Sequence, residues 1–166
     1  VQHVPILGGD FDVRTPMTLG EIYRDLLERR RSALTAAVRA LAARGALPAL
    51  VFCSAGKDRT GLVVALLLAA VGVDAEKIVA DYTLSQAATG GPFRSVSEAR
   101  ARAAGISEQE LAVKLGAPKE LMRDVLVWLS EREGGAAGYL LDGGLKEEEL
   151  SRLQRRMLAP RAASPA

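Results

Sequence analysis

From Thr60 to Val71 the chain is apolar nearly all round, so a helix wound through that run has no polar face to turn to water. Such a helix must be covered on every side, which makes it the centre of a fold rather than part of its surface. It is also too short to cross a bilayer: Leu62 to Val71 falls far below the roughly 18 apolar residues that a span requires. Gly72 stops it. The rest of the chain must therefore supply layers around this segment. A length of 166 residues with 49% hydrophobic content suits one domain, 1–166, with a single core.

Most of the covering elements read as helices. Thr18 is placed to cap a helix whose Leu19, Ile22, Tyr23, Leu26 and Leu27 share one face. Leu34, Val38 and Leu41 continue the spacing after a break near Ser32, until Gly45. Asp74 can cap a helix carrying Ile78, Val79 and Tyr82, and Ser107 with Glu110 makes a capping-box pattern. Pro118 opens a helix striped by Met122, Val125, Leu126 and Leu129, and a last helix carries Leu150, Leu153 and Met157. Gly90, Gly91 and Pro92 make Ala87 to Gly105 the loosest stretch, and Arg94, Arg100 and Arg102 make it basic. The tail from Pro160 is expected to fray.

Strand candidates are few: Val1 to Leu7, and the fully apolar Ala49-Leu50-Val51-Phe52, which would sit centrally. The expected class is α/β with helix predominating. Two strands are few for an open sheet, and the chain starts at Val1 directly before a strand-like run. The expectation is that sheet partners precede Val1 and that this is the C-terminal part of a longer domain.

The chemistry concentrates where that strand candidate meets the apolar helix: Phe52-Cys53-Ser54-Ala55-Gly56-Lys57-Asp58-Arg59-Thr60-Gly61. A loop between a strand end and a helix N-terminus is where α/β folds bind ligands. Unpaired N–H groups and the positive end of the helix dipole favour an anion there. The same field, with Lys57 and Arg59 nearby, should lower the Cys53 thiol from its free value of about 8.5 and make it a nucleophilic thiolate. Arg59, six residues on, can hold two phosphate oxygens in its planar fork, and Thr60 can offer a hydroxyl to the departing sulfur. Cys-x5-Arg alone is a weak signal and would suit an inert cysteine in a turn. The full Cys-x-x-Gly-Lys-x-Arg-Thr-Gly between strand and helix is far more specific. It is not a nucleotide P-loop, because Asp58 follows Gly56-Lys57 where Ser or Thr would be needed.

This segment, with Leu62-Val-Val-Ala-Leu-Leu-Leu68, Ile78-Val-Ala-Asp-Tyr82, Gly134-Gly-Ala-Ala-Gly-Tyr-Leu140 and Gly144-Leu-Lys-Glu-Glu-Glu-Leu150, resembles the protein-tyrosine phosphatase superfamily. Within it, the likeness is to the bacterial tyrosine and lipid phosphatases of the mycobacterial tyrosine phosphatase B type, from about Thr18 onward. The resemblance implies the cysteine-phosphatase fold, a small parallel sheet flanked by helices, here N-terminally incomplete. It implies hydrolysis without a cofactor or metal, through a phosphocysteine intermediate. The substrates implied are phosphotyrosine proteins, with dual specificity or phosphoinositides as further options, and inorganic phosphate is the product. The carried-over roles are Cys53 as nucleophile, Arg59 as clamp, and the loop from Ser54, Ala55, Gly56, Lys57, Asp58 and Arg59 to Thr60 as the substrate cradle. Asp58 is the leading candidate for the proton donor to the leaving group. Asp10, Asp12 and Asp81 are weaker candidates, and His3 is far from the motif in sequence. The superfamily usually has histidine where Phe52 stands, which predicts a less acidic thiolate. The stretch from Ala88 to Gly116 occupies the place of a lid in related enzymes.

Two other functions fit less of this pattern. A phospho-ligand binding module would keep the anion cradle but turn over poorly, and a rhodanese-like sulfur transferase would lack the Gly-Lys-Asp-Arg-Thr-Gly run. Net charge is only +2, so charge does not suggest a nucleic-acid partner, and Arg29-Arg30-Arg31 reads as a solvated helix face. One cysteine and one histidine exclude an internal disulfide and make a structural zinc site improbable. A lone thiol and no visible signal peptide point to the cytoplasm, with secretion as the alternative.

Overall fold

The computed structural model describes residues 1–7, 17–88, 91–132 and 134–158. Asp10, Asp12 and the tail from Pro160 lie outside the described residues. Among those described there are nine helices: α1 (Leu19–Arg29), α2 (Arg31–Ala42), α3 (Asp58–Ala70), α4 (Ala75–Ala88), α5 (Gly91–Ala103), α6 (Glu108–Leu115), α7 (Lys119–Ser130), α8 (Gly135–Asp142) and α9 (Glu147–Leu158).

The apolar run becomes α3, and it takes the central place its composition demands. It packs against α2, α4 and α8, and none of its residues is exposed. Leu62 and Leu66 are fully buried, each contributing about 1.5–3 kcal/mol by leaving water. Around this axis α7 joins α1, α4 and α8, while α9 lies on α2. The phenol of Tyr139 on α8 donates to the Leu27 carbonyl at 2.7 Å, tying the outer layer to α1.

The predicted caps are formed. Thr18 and Glu21 exchange hydrogen bonds in a capping box that starts α1, and Ser107 and Glu110 do the same for α6. Asp74 Oδ1 accepts from the Glu76 and Lys77 amides at 3.0 and 3.3 Å, opening α4. Pro118 precedes α7. The first break falls at Arg30, two residues before the expected Ser32. The arginine run there serves the fold: Arg29 pairs with Asp25 at 2.9 Å, and Arg31 lies over the Tyr139 ring at 5.0 Å.

Two expectations need correction. The α/β class with a small parallel sheet is wrong for this structure: among the described residues there is no strand. Residues 1–7 and 49–52 run without helix or ladder, and Leu50 and Phe52 are 86% and 67% exposed. An apolar tetrapeptide can favour an extended backbone, but a strand exists only where a neighbour completes the hydrogen-bond ladder, and none of the described residues does so. The fold is instead helices packed on helices. The second correction concerns the stretch expected to be loosest, much of which is helical as α5. Gly91 and Pro92 fall in its first turn, where a missing N–H costs nothing.

Candidate active site

The extended residues 49–52 deliver the chain to a loop, residues 53–57, that ends where α3 begins. Gly56 makes the turn possible by taking φ +67°, a left-handed conformation that side chains disfavour. The first intrahelical bond of α3 runs from the Gly61 amide to the Lys57 carbonyl at 2.7 Å. The amides of Asp58, Arg59 and Thr60 therefore have no acceptor within the helix and remain open donors at its positive end.

Cys53 is half-buried beside these donors. Burial by itself would raise its thiol pKa, but the Thr60 hydroxyl and the amides of Thr60, Ala55 and Gly56 outweigh it and hold the thiol below its ordinary value. Thr60 Oγ1 is buried with no hydrogen bond among the described residues, which leaves its hydroxyl available to the sulfur. The thiolate is thus favoured without histidine at position 52, where Phe52 turns its ring to solvent. Arg59, the second residue of α3, is partly buried and forms no ion pair among the described residues.

Lys57 behaves differently from a surface cation. Its side chain is 1% exposed, and its ammonium donates to the carbonyls of Lys114 and Gly116 at 2.6 and 2.7 Å. It also lies 3.1 Å from Asp58 Oδ1. The lysine expected in the phosphate cradle thus contributes its backbone to the loop, while its charge is fastened to the C-terminal end of α6, the negative end of that helix.

Asp58 opens α3, and its carboxylate Oδ1 also accepts from the Tyr23 phenol at 3.0 Å. Tyr23 Oη is in turn 2.8 Å from Tyr82 Oη, with the two rings edge to face at 6.3 Å. This contact requires Gly61: a Cβ there would meet the Tyr82 ring at 2.9 Å. Burial first, and the Asp58 charge second, push the Tyr23 phenol well above its usual range, and burial pushes Tyr82 up to about 12. Both phenols therefore stay protonated and act as donors.

Of the other candidates, Asp81 is exposed on α4 and His3 is exposed in the N-terminal segment, neither bonded to the loop. No group of three or more metal-ligating side chains gathers among the described residues. A cavity of about 480 Å³ lies between α1 and α7 and is not lined by Cys53 or Arg59. The candidate site at the loop rests on its chemistry, a thiol met by amides, and not on an enclosed volume.

A half-buried thiol met by amides at a helix N-terminus, with Arg59 in the first turn of that helix and in no ion pair among the described residues, suits an anion. Residues 10–159 match the model of a tyrosine phosphatase family. The chain belongs to that family. This member of it is 36% identical over 124 residues to the triple specificity protein phosphatase PtpB of Mycobacterium tuberculosis, which covers 64% of this chain and 42% of that one. It is 32% identical over 146 residues to a tyrosine-protein phosphatase of Nostoc commune, covering 86% of this chain and 50% of the relative. The chain thus spans about half the length, or less, of these curated relatives.

Reading the sequence placed Tyr23 and Tyr82 among the apolar faces of their helices and missed their hydroxyls. The available signal was chemical: a tyrosine at a fully buried helix position needs a partner for its hydroxyl, and the nearby motif carried an aspartate.

Proposed function

We propose that this chain hydrolyses phosphate monoesters on proteins, phosphotyrosine foremost, through a phosphocysteine at Cys53. The observation that carries the reading is the ring of N–H donors that holds the Cys53 thiol below its ordinary pKa. The thiolate attacks phosphorus as the bond to the tyrosyl oxygen breaks. Arg59 holds two of the phosphoryl oxygens with its fork, while the loop amides receive charge as it shifts. Asp58 gives a proton to the leaving oxygen. Water then attacks the phosphocysteine, Asp58 takes up its proton, the sulfur departs toward the Thr60 hydroxyl, and inorganic phosphate is released.

Phosphotyrosine is favoured over a multiply charged phosphoinositide because the Lys57 ammonium is already committed to two carbonyls. That leaves Arg59, in no ion pair with a carboxylate among the described residues, as the loop cation open to substrate. Phosphotyrosine peptides and phosphoinositide vesicles, assayed side by side, test this preference directly. A faster rate on the vesicles would reverse it.

For the activity itself, reduced protein should turn over an aryl phosphate, with inhibition by vanadate and no effect of chelator, and Cys53→Ser should abolish the rate. Undiminished turnover in Cys53→Ser would refute the mechanism. A second reading, a module that holds phosphoproteins without turnover, is favoured by Phe52, whose side chain gives the loop no hydrogen bond. Phosphopeptide binding in both wild type and Cys53→Ser, with turnover in neither, would establish that reading.

A further inference from the structure

Among the described residues, the Asp58 carboxylate is held from one side only. Its Oδ1 is shared by Tyr23 Oη at 3.0 Å and Lys57 Nζ at 3.1 Å, and its Oδ2 has no partner among the described residues. Neither donor is free to wander. Lys57 is pinned by two carbonyls of the α6 end. Tyr23 is 1% exposed on α1, and its oxygen is met at 2.8 Å by Tyr82, 4% exposed on α4. The single proton of Tyr23 goes to the carboxylate, so Tyr82 must donate to the Tyr23 oxygen. The chain runs Tyr82 to Tyr23 to Asp58, each bond polarising the next.

Packing alone would not ask for this. A phenylalanine at position 23 would fill the same space without bringing a polar group into the interior, and burying a hydroxyl costs free energy unless it is bonded. Three helices, α1, α3 and α4, converge so that this hydroxyl reaches a residue at the mouth of the loop. Gly61 is kept bare where the Tyr82 ring crosses α3.

We propose that Tyr23, backed by Tyr82, is a positioning residue that anchors Asp58 through Oδ1 and leaves Oδ2 to exchange a proton with the substrate oxygen. The proposal rests on the assignment of proton transfer to Asp58. A carboxylate with both oxygens free would swing about its χ angles, and misplacement by about 1 Å can cost on the order of 100-fold in rate. Tyr23 acts through Asp58 and touches no substrate.

The test compares Tyr23→Phe, Asp58→Asn and the double variant on two aryl phosphates, one with a good leaving group and one with a poor one. Folding of each is checked by circular dichroism and vanadate affinity. Tyr23→Phe should slow the poor leaving group more than the good one, by a ratio of about 10. It should add no further loss in the Asp58→Asn background. Tyr82→Phe should act in the same direction more weakly and serves if Tyr23→Phe misfolds. Equal slowing of both substrates by both phenylalanine variants, or losses that multiply with those of Asp58→Asn, would overturn the positioning role while Asp58 kept its own. Indifference of Asp58→Asn to the leaving group would overturn the underlying assignment and the proposal with it.

Discussion

Replacing Lys57 by methionine isolates the contribution of a buried charge that joins the loop to α6. Methionine keeps the apolar stem and roughly its volume, so the variant removes the ammonium and little packing. The ammonium donates to Lys114 O at 2.6 Å and Gly116 O at 2.7 Å from a side chain that is 1% exposed. Hydrogen bonds to a charged group contribute about 1.5–3 kcal/mol each, so the two together account for about 3–6 kcal/mol. About a third to a half is returned, because the variant no longer takes an ammonium out of water. The contact with Asp58 adds little, since that carboxylate is 31% exposed and water can replace the lost partner. The expected loss is about 2–4 kcal/mol, which lowers a urea midpoint by about 1–2 M at an m-value of about 2 kcal/mol/M. The loss should be concentrated locally. α6 buries none of its side chains and α5 packs chiefly on α6, so hydrogen exchange over residues 91–116 should accelerate most. A midpoint shift below about 0.2 M, with exchange in α6 unchanged, would refute the reasoning that this charge fastens the two parts together.

Three further outcomes follow from the site. The Cys53 thiolate, followed by its ultraviolet absorbance, should titrate below the value of about 8.5 that the urea-unfolded chain shows. Because the folded value is the lower one, the thiolate's contribution to stability is fully present above the unfolded pKa. It is lost as pH falls through the folded one, and Cys53→Ser should remove that dependence from urea midpoints. Gly61→Ala should cost about 1–3 kcal/mol in thermal unfolding, because its methyl group meets the Tyr82 ring; an unchanged transition would show that the ring yields freely. Arg59→Lys should weaken vanadate binding by about tenfold or more, since an ammonium cannot reproduce the two-pronged contact; equal affinity would deny Arg59 the clamp role.

How far the sequence discloses this molecule depends on how local the physics is. The central position of α3 was legible because an apolar surface on every side admits one solution, and Thr18, Asp74 and Ser107 were legible because a cap needs only its own next turn. The loop was legible because thiol, glycine, arginine and helix start are neighbours in the chain. The ladder expected for Ala49 to Phe52 was not, because pairing belongs to a partner strand and not to the segment itself. The direction of Lys57 was hidden for a related reason: its carbonyl acceptors are 57 and 59 residues away. Tyr23 and Tyr82 stand 59 residues apart, and only the folded helices bring their oxygens together beside Asp58.

The most direct measurement is mass spectrometry of the protein, quenched in acid during turnover of a phosphotyrosine peptide. The account predicts a phosphate adduct on the peptide that carries Cys53, formed within the first turnover and absent in Cys53→Ser. Release of phosphate at full rate, with Cys53 found unmodified at every quench time and Cys53→Ser equally active, would contradict it.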